Sequence, residues 1–182
     1  HRRKISRGGK KVIVVAAVAA AVCLAFVFVE KRSYHSYKVL NTSEQEDVVS
    51  TQYVEMDGDI LRYSPDGVSV VDASMNTVWN ETYTMQNPIA DVNGSRAVVA
   101  DSEGTSLYIC DKKGVTGTVT TSYSIVKVRI AANGMVAAIL DNDENTWINF
   151  YNPDGSLAAE NLTKIDDPGY PLDVAVSDNG VM

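Results

Sequence analysis

Short apolar runs separated by glycine-containing turns fill the chain from residue 51 onward, and they recur in sets of four. The three sets comprise residues 51–56, 59–63, 68–72 and 77–83, then 89–92, 96–101, 105–110 and 117–121, then 125–130, 135–140, 146–151 and 156–160. Turn pairs such as Asp57-Gly58 suit the positive φ angles of a tight antiparallel hairpin. Each set therefore predicts a sheet of four antiparallel strands.

The sets follow one another at a nearly regular interval. Their first strands begin at Thr51, Ile89, Ile125 and Leu172, with spacings of 38, 36 and 47 residues. Repeats of about 40 residues with four strands each are typical of β-propeller blades. The continuous apolar runs 97–100 and 136–140 favour sheets that are covered on both faces. A β-sandwich is the alternative, because it also uses short strands at this spacing.

Three sets and the first run of a fourth, 172–176, are fewer than the four to eight blades that close a propeller. An open array would leave an apolar strand edge unpaired. We therefore expect the chain to be a piece of a longer protein whose other residues complete the ring.

An uninterrupted apolar run begins at Val12 and ends at Val29. As an α-helix it would span roughly 27 Å, close to the thickness of a bilayer core. Six Lys and Arg residues precede it within residues 1–11, which predicts a cytoplasmic N-terminus and an external C-terminal part. Three alternatives are a cleaved signal peptide, lipoprotein processing at Cys23 and a buried helix. The run is longer than the core of a usual signal peptide and ends without a small-residue cleavage site.

The predicted organisation has four parts. Residues 1–11 form a cytoplasmic basic tail, 12–29 a transmembrane α-helix, 30–50 a stalk and 51–182 a partial propeller. The predicted fold class is all-β, with about three four-stranded blades and the start of a fourth, preceded by one transmembrane helix. The predicted location is the cell membrane, with a single pass.

The charged residues are distributed differently before and after the apolar run. From residue 30 onward it carries all 23 acidic residues and 10 basic ones, a net charge of −13. Such a field repels nucleic acid, so nucleic-acid binding is excluded. Acidic excess either keeps the domain soluble or favours a cationic partner. Cys110 is the only thiol outside the apolar run, so the exported part forms no internal disulfide.

No catalytic motif is found in the repeats. Both histidines, His1 and His35, precede the repeats, and neither a nucleophile elbow nor a phosphate-binding glycine loop is present. Trp79 and Trp147 occupy strand positions, where packing between blades is the favoured role over docking of a quinone. No cofactor is expected.

One acidic loop is a weak candidate for calcium binding. Asp141, Asp143 and Asn145 place oxygen atoms at alternate positions, as in the first half of a calcium loop. Thr146 occupies the position where such a loop needs glycine, and Asn152 stands where a bidentate glutamate belongs. An acidic hairpin tip is the favoured interpretation.

The third repeat is lengthened by an insertion at residues 161–171. Asp166, Asp167 and Tyr170 could form an acidic and aromatic surface for a partner, because loops between blades lie on one face. The alternative is a longer connector stiffened by two prolines.

Two resemblances accompany these patterns. The segments 65–71, 76–79 and 151–156 resemble outer strands of quinoprotein-like and WD40-like propellers. The basic tail, the apolar run and the segments 34–37, 78–83, 85–88 and 169–173 resemble a family of membrane-anchored propeller proteins of unknown function from Gram-positive anaerobic bacteria. This second resemblance implies an extracytoplasmic propeller without an established activity.

The function predicted from the sequence is a non-catalytic binding or scaffolding module at the bacterial envelope. Its expected partners are the membrane, through Val12 to Val29, and an envelope protein or cell-wall polymer. The alternatives are a quinoprotein-like or glycan-active enzyme with catalytic groups in further blades, and a sensor ectodomain.

Overall fold

The computed structural model of the chain describes residues 18, 21–24, 50–142, 144–164 and 171–177. It divides the chain into two units, His1–Thr42 and Ser43–Met182. In the first unit, Val18 and residues 21–24 are helical and exposed. No helix among the described residues has both the length and the apolar character needed to cross a membrane.

The rest of the predicted transmembrane helix, from Val12 to Val29, lies outside the described residues. The basic tail 1–11 and residues 30–49 of the stalk lie outside them as well. The membrane anchor therefore stays a prediction from the sequence.

The described part of the second unit is all-β and forms three four-stranded antiparallel sheets. Sheet 1 contains β1 (Gln52–Met56), β2 (Asp59–Ser64), β3 (Gly67–Val71) and β4 (Thr77–Thr82). Sheet 2 contains β5 (Pro88–Asn93), β6 (Arg96–Asp101), β7 (Ser106–Asp111) and β8 (Gly114–Thr120). Sheet 3 contains β9 (Ser124–Ile130), β10 (Val136–Asp141), β11 (Asn145–Tyr151) and β12 (Leu157–Lys164). Strands that are consecutive along the chain pair within each sheet, so the prediction of three four-stranded sets is confirmed.

The turns explain why these strands reverse where they do. Asp57 and Gly58 have φ angles of 49° and 82°, as expected of the tight hairpin predicted between β1 and β2. Gly94 and Gly134 also have positive φ at the corresponding turns of sheets 2 and 3. The chain therefore returns antiparallel at the same point of each repeat.

Sheet 2 lies between the other two sheets and buries a different face against each. One core cluster joins Leu61 and Val70 of sheet 1 to Val99 of sheet 2. The other joins Val98 of sheet 2 to Val128 and other apolar residues of sheet 3. Because neighbouring strand residues point to opposite faces, Val98 packs in the cluster with sheet 3 and Val99 in the cluster with sheet 1. This order differs from a two-layer β-sandwich and is consistent with successive propeller blades.

The first strands bring the sheets together along one side, which we call the first-strand edge (β1, β5 and β9). Between sheets 2 and 3, β9 contacts both β5 and β6. Between sheets 1 and 2, β1 contacts β5 about as extensively as β4 contacts β8. Each large apolar side chain that is buried between the sheets stabilises the fold by about 1.5–3 kcal/mol.

Backbone hydrogen bonds fix each sheet to the start of the next. The N–H of Met85, beyond β4, donates to the carbonyl of Pro65 in the β2–β3 turn at 2.9 Å. In the next repeat, the N–H of Ile125 donates to the carbonyl of Gly104 at 2.7 Å, and Glu103 donates back to Ile125 at 2.8 Å. The same turn therefore anchors the following sheet in both repeats.

Three predicted strands need correction. The run 117–121 is wrong at its start, because β8 begins at Gly114 and Gly117 lies within it. The run 156–160 is wrong at its end, because β12 continues to Lys164, so residues 161–164 belong to this strand and not to the predicted insertion. The predicted first strand of a fourth set, 172–176, is also wrong, since residues 171–177 have no regular secondary structure. A strand requires a ladder of hydrogen bonds to a neighbour, and no described strand pairs with this segment.

Candidate functional site

An open cleft of about 440 Å³ lies at the first-strand edge. Its walls come from β5, from β9 and from the segment 171–177. We call it the first-strand cleft; its lining residues are Asp91, Arg129, Ile130, Asp173, Val174, Ala175 and Val176. It is thus built by two sheets and by the chain that follows them.

Asp91 connects sheet 2 to sheet 3 inside this cleft. Its Oδ1 lies 3.2 Å from Nη1 of Arg129, and its Oδ2 accepts the backbone N–H of Ile130 at 2.8 Å. The side-chain amide of Asn93 also donates to the carbonyl of Ile130, at 3.3 Å. Both carboxylate oxygens of Asp91 are therefore held by β9.

Asp173 brings a second carboxylate to the same basic residues. Its Oδ2 lies 3.2 Å from Nη2 of Arg129 and 3.1 Å from Nζ of Lys127. Lys127 and Arg129 are two residues apart on β9 and therefore point to the same face of sheet 3. Arg129 consequently has one carboxylate on each of its two terminal nitrogens.

These contacts fix the charges of the cleft. Hydrogen bonds from Arg129, from the N–H of Val174 and from Lys127 lower the pKa of Asp173 to about 2. The hydrogen bond to Asp173 and the charge of Asp91 raise the pKa of Arg129. At neutral pH both groups remain ionised, so the cleft can bind by charge and hydrogen bonding but does not exchange protons through them.

The sequence did not single out Asp91, Lys127, Arg129 or Asp173. Asp91 and Arg129 are 38 residues apart, and only the stacking of sheets 2 and 3 brings them together. A usable signal was the presence of two basic residues on one face of a first strand in a strongly acidic domain.

The weak calcium-binding candidate consists of Asp141, Asp143 and Asn145, and its two described residues belong to different strands of a hairpin. Asp141 ends β10 and Asn145 begins β11, while Asp143 lies outside the described residues. Between them, the Asn142 side-chain oxygen accepts the N–H of Asn145 at 2.8 Å and that of Glu144 at 3.2 Å. In the described part of the chain, no three His, Cys, Asp or Glu side chains are grouped to hold a metal ion.

The predicted partner surface cannot be placed. Asp166, Asp167 and Tyr170 all lie outside the described residues. Their role in partner binding stays a prediction.

Both tryptophans pack where the sequence predicted. Trp79 lies against the cluster between sheets 1 and 2. Trp147 lies against the cluster between sheets 2 and 3 and stacks on Tyr123, with ring centroids 5.8 Å apart. Cys110 is fully buried. Burial raises the pKa of its thiol to about 12, which leaves it protonated and a poor nucleophile.

Residues 30–182 match the model of the Family of unknown function (DUF5711). The chain belongs to this family. No curated protein matches this DUF5711 member significantly.

Solved structures similar to this DUF5711 member include propeller domains. The WD40 domain of Neurospora crassa Pan2 is 15% identical, with a TM-score of 0.42 over 60% of this chain and 34% of that one. Hsv2 of Kluyvelomyces marxianus is 17% identical, with a TM-score of 0.49 over 84% and 46%. The dihydro-heme d1 dehydrogenase NirN, in complex with DHE, is 14% identical, with a TM-score of 0.45 over 63% and 28%. The DUF5711 chain thus spans less than half the length of each.

Proposed function

We propose that this chain is a non-catalytic binding or scaffolding module of the bacterial envelope. In this proposal, residues 12–29 anchor it in the cell membrane, its N-terminus is cytoplasmic, and the sheets belong to a closed propeller outside the cell. An envelope protein or a cell-wall polymer is its partner.

The first-strand cleft is the observation that carries the binding role. Its polar groups pair with one another across three chain segments, and the lowered pKa of Asp173 and the raised pKa of Arg129 keep these two groups charged at neutral pH. Fixed charges suit recognition, whereas general acid–base catalysis needs a group whose pKa lies near the working pH. The partly exposed residues Val174 and Val176 and the backbone of Ile130 complete the lining, and apolar lining is usual for binding clefts.

Membrane anchoring is supported by the sequence. The apolar run is long enough to cross a bilayer core, and the six preceding basic residues favour a cytoplasmic N-terminus. The acidic excess after residue 30 suits an exposed location.

A cysteine-labelling experiment tests the topology. Ser74 is exposed at the β3–β4 turn, and Ser6 lies in the basic tail. In intact cells, a membrane-impermeant maleimide should label the Ser74→Cys variant, and it should label Ser6→Cys only after lysis. The unsubstituted chain is the control for the native thiols. Labelling of Ser6→Cys in intact cells, or protection of Ser74→Cys, would contradict the proposed orientation.

Photo-crosslinking tests the binding role. A benzoylphenylalanine at Ala175, which is exposed and lines the cleft, should form adducts with an envelope protein or wall polymer in living cells. The same residue at Ser74 is the matched control away from the cleft. If both positions give the same adducts, or Ala175 gives none, the cleft is not the binding surface.

A further inference from the structure

We propose that Lys127 and Arg129 form a carboxylate-recognition site that Asp173 occupies in the same chain, and that an acidic peptide ligand displaces Asp173. This inference rests on the proposed binding function and names the ligand class of the same cleft. The relevant chemistry is a side-chain carboxylate, which both basic groups already hold here.

The two basic groups converge on one oxygen atom. Nη2 of Arg129 and Nζ of Lys127 lie 3.2 and 3.1 Å from Oδ2 of Asp173. Charge-assisted hydrogen bonds of this kind are stronger than neutral ones. The pair is therefore already positioned to bind a carboxylate.

Asp91 keeps Arg129 in place when the second carboxylate leaves. It belongs to β5, its side chain is 22% exposed, and it holds both Nη1 of Arg129 and the backbone of Ile130. Asp91 is thus a positioning residue. It leaves Nη2 of Arg129 for a ligand.

Asp173 is held much less firmly than Asp91. Its side chain is 53% exposed, and its other oxygen accepts the adjacent N–H of Val174 at 2.8 Å. The segment 171–177 pairs with no strand among the described residues. A competing carboxylate therefore needs to replace two exposed ion pairs, which are individually weak.

The cleft has room and suitable walls for a peptide. It measures about 440 Å³, and the partly exposed Val174 and Val176 provide apolar surface beside the basic pair. Because the domain as a whole is acidic, long-range attraction does not assist an acidic ligand. Recognition then depends on the short-range contacts of Lys127 and Arg129.

Binding of a fluorescein-labelled peptide of ten glutamates, measured by polarisation at low salt, tests the inference. Asp173→Asn removes the competing carboxylate and should tighten binding about tenfold, as expected if the competing state is nine-tenths populated. Adding Lys127→Ala and Arg129→Ala to Asp173→Asn should abolish the gain. Lys113→Ala in the same background removes an exposed charge in the β7–β8 turn and should leave binding unchanged. A ten-residue glutamine peptide should not bind.

The inference is overturned if Asp173→Asn binds no more tightly than the unsubstituted chain, or if the triple variant binds as tightly as Asp173→Asn. Circular dichroism spectra of all variants verify that they fold. Crosslinking from Ala175 in cells remains a separate readout. Adducts without a peptide response would reject the carboxylate site and retain the binding function. A peptide response without adducts would retain the carboxylate site and reject the proposed partner in the envelope.

Discussion

Gly117 of β8 and Gly155 of the β11–β12 turn meet across the boundary between sheets 2 and 3. A β-carbon on Gly117 would overlap the backbone of residues 153–155, and one on Gly155 would lie 2.8 Å from the carbonyl oxygen of Thr118. Two backbones can approach this closely only where neither carries a side chain. The pair therefore sets how tightly the outer parts of sheets 2 and 3 pack.

Gly117→Ala should destabilise the domain by about 1–3 kcal/mol, because the added methyl group has to displace backbone rather than a flexible side chain. Urea unfolding followed by tryptophan fluorescence measures the change. Thr118→Ala, at the next and exposed strand position, is the control and should stay within about 0.5 kcal/mol. Equal stability of Gly117→Ala and the unsubstituted chain would show that the two backbones are not in contact.

Asp101 holds the connection between sheets 1 and 2. Its Oδ1 accepts the N–H groups of Gln86 and Asn87 at 3.0 and 2.8 Å. Asp101→Ala should therefore cost about 1 kcal/mol and speed amide hydrogen exchange at both residues. Asp66→Ala removes an acidic side chain from the β2–β3 turn without touching these bonds. It should leave exchange at residues 86 and 87 unchanged, and the idea fails if both variants behave alike.

Much of the fold could be predicted from local sequence. Asp57-Gly58, Asn93-Gly94 and Asn133-Gly134 favour positive φ by their own chemistry, and the structure has glycines with positive φ at each of these turns. Gly117 shows where this reasoning fails. The predicted strand began at Gly117, but this residue lies inside β8. There the backbone of residues 153–155 in sheet 3 leaves no room for a β-carbon, so the need for glycine comes from a contact between sheets and not from the local sequence.

Leu61 and Leu107 test the stacking order, because Leu61 lies between sheets 1 and 2 and Leu107 between sheets 2 and 3. Both side chains are fully buried. Replacing either with alanine should destabilise the domain by roughly 2–5 kcal/mol. Leu172→Ala is the matched control, since that leucine is 83% exposed. A small effect at Leu107 together with a large one at Leu61 would mean that sheet 3 does not cover sheet 2.

The candidate site was harder to predict than the fold. Alternation along β9 could place Lys127 and Arg129 on one face, but their partners Asp91 and Asp173 come from other segments. Asp141, by contrast, looked like a ligand only from its spacing to its neighbours, and the hairpin at 142–145 uses Asn142 to close its own turn. The spacing of residues along the sequence predicts local turns better than it predicts contacts between residues of different sheets.

The ionisation of Asp173 gives a pH test of the first-strand cleft. Its pKa is about 2 in the folded chain against an ordinary value of 3.8. A carboxyl group whose pKa is lowered by folding stabilises the folded state above its ordinary pKa. Attachment of the segment 171–177 should therefore be complete above about pH 4 and weaken as the pH falls towards 2, when Asp173 loses its charge beside Lys127 and Arg129.

Carbon-13 NMR titration of the Asp173 carboxyl group measures this directly. Arg129→Ala should move the midpoint from about 2 towards 3.8, because the hydrogen bond from Arg129 is the largest cause of the shift. Lys113→Ala removes a positive charge that does not contact Asp173, so this control should leave the midpoint of Asp173 unchanged. A midpoint near 3.8 in the unsubstituted chain would show that Arg129 and Lys127 do not hold Asp173.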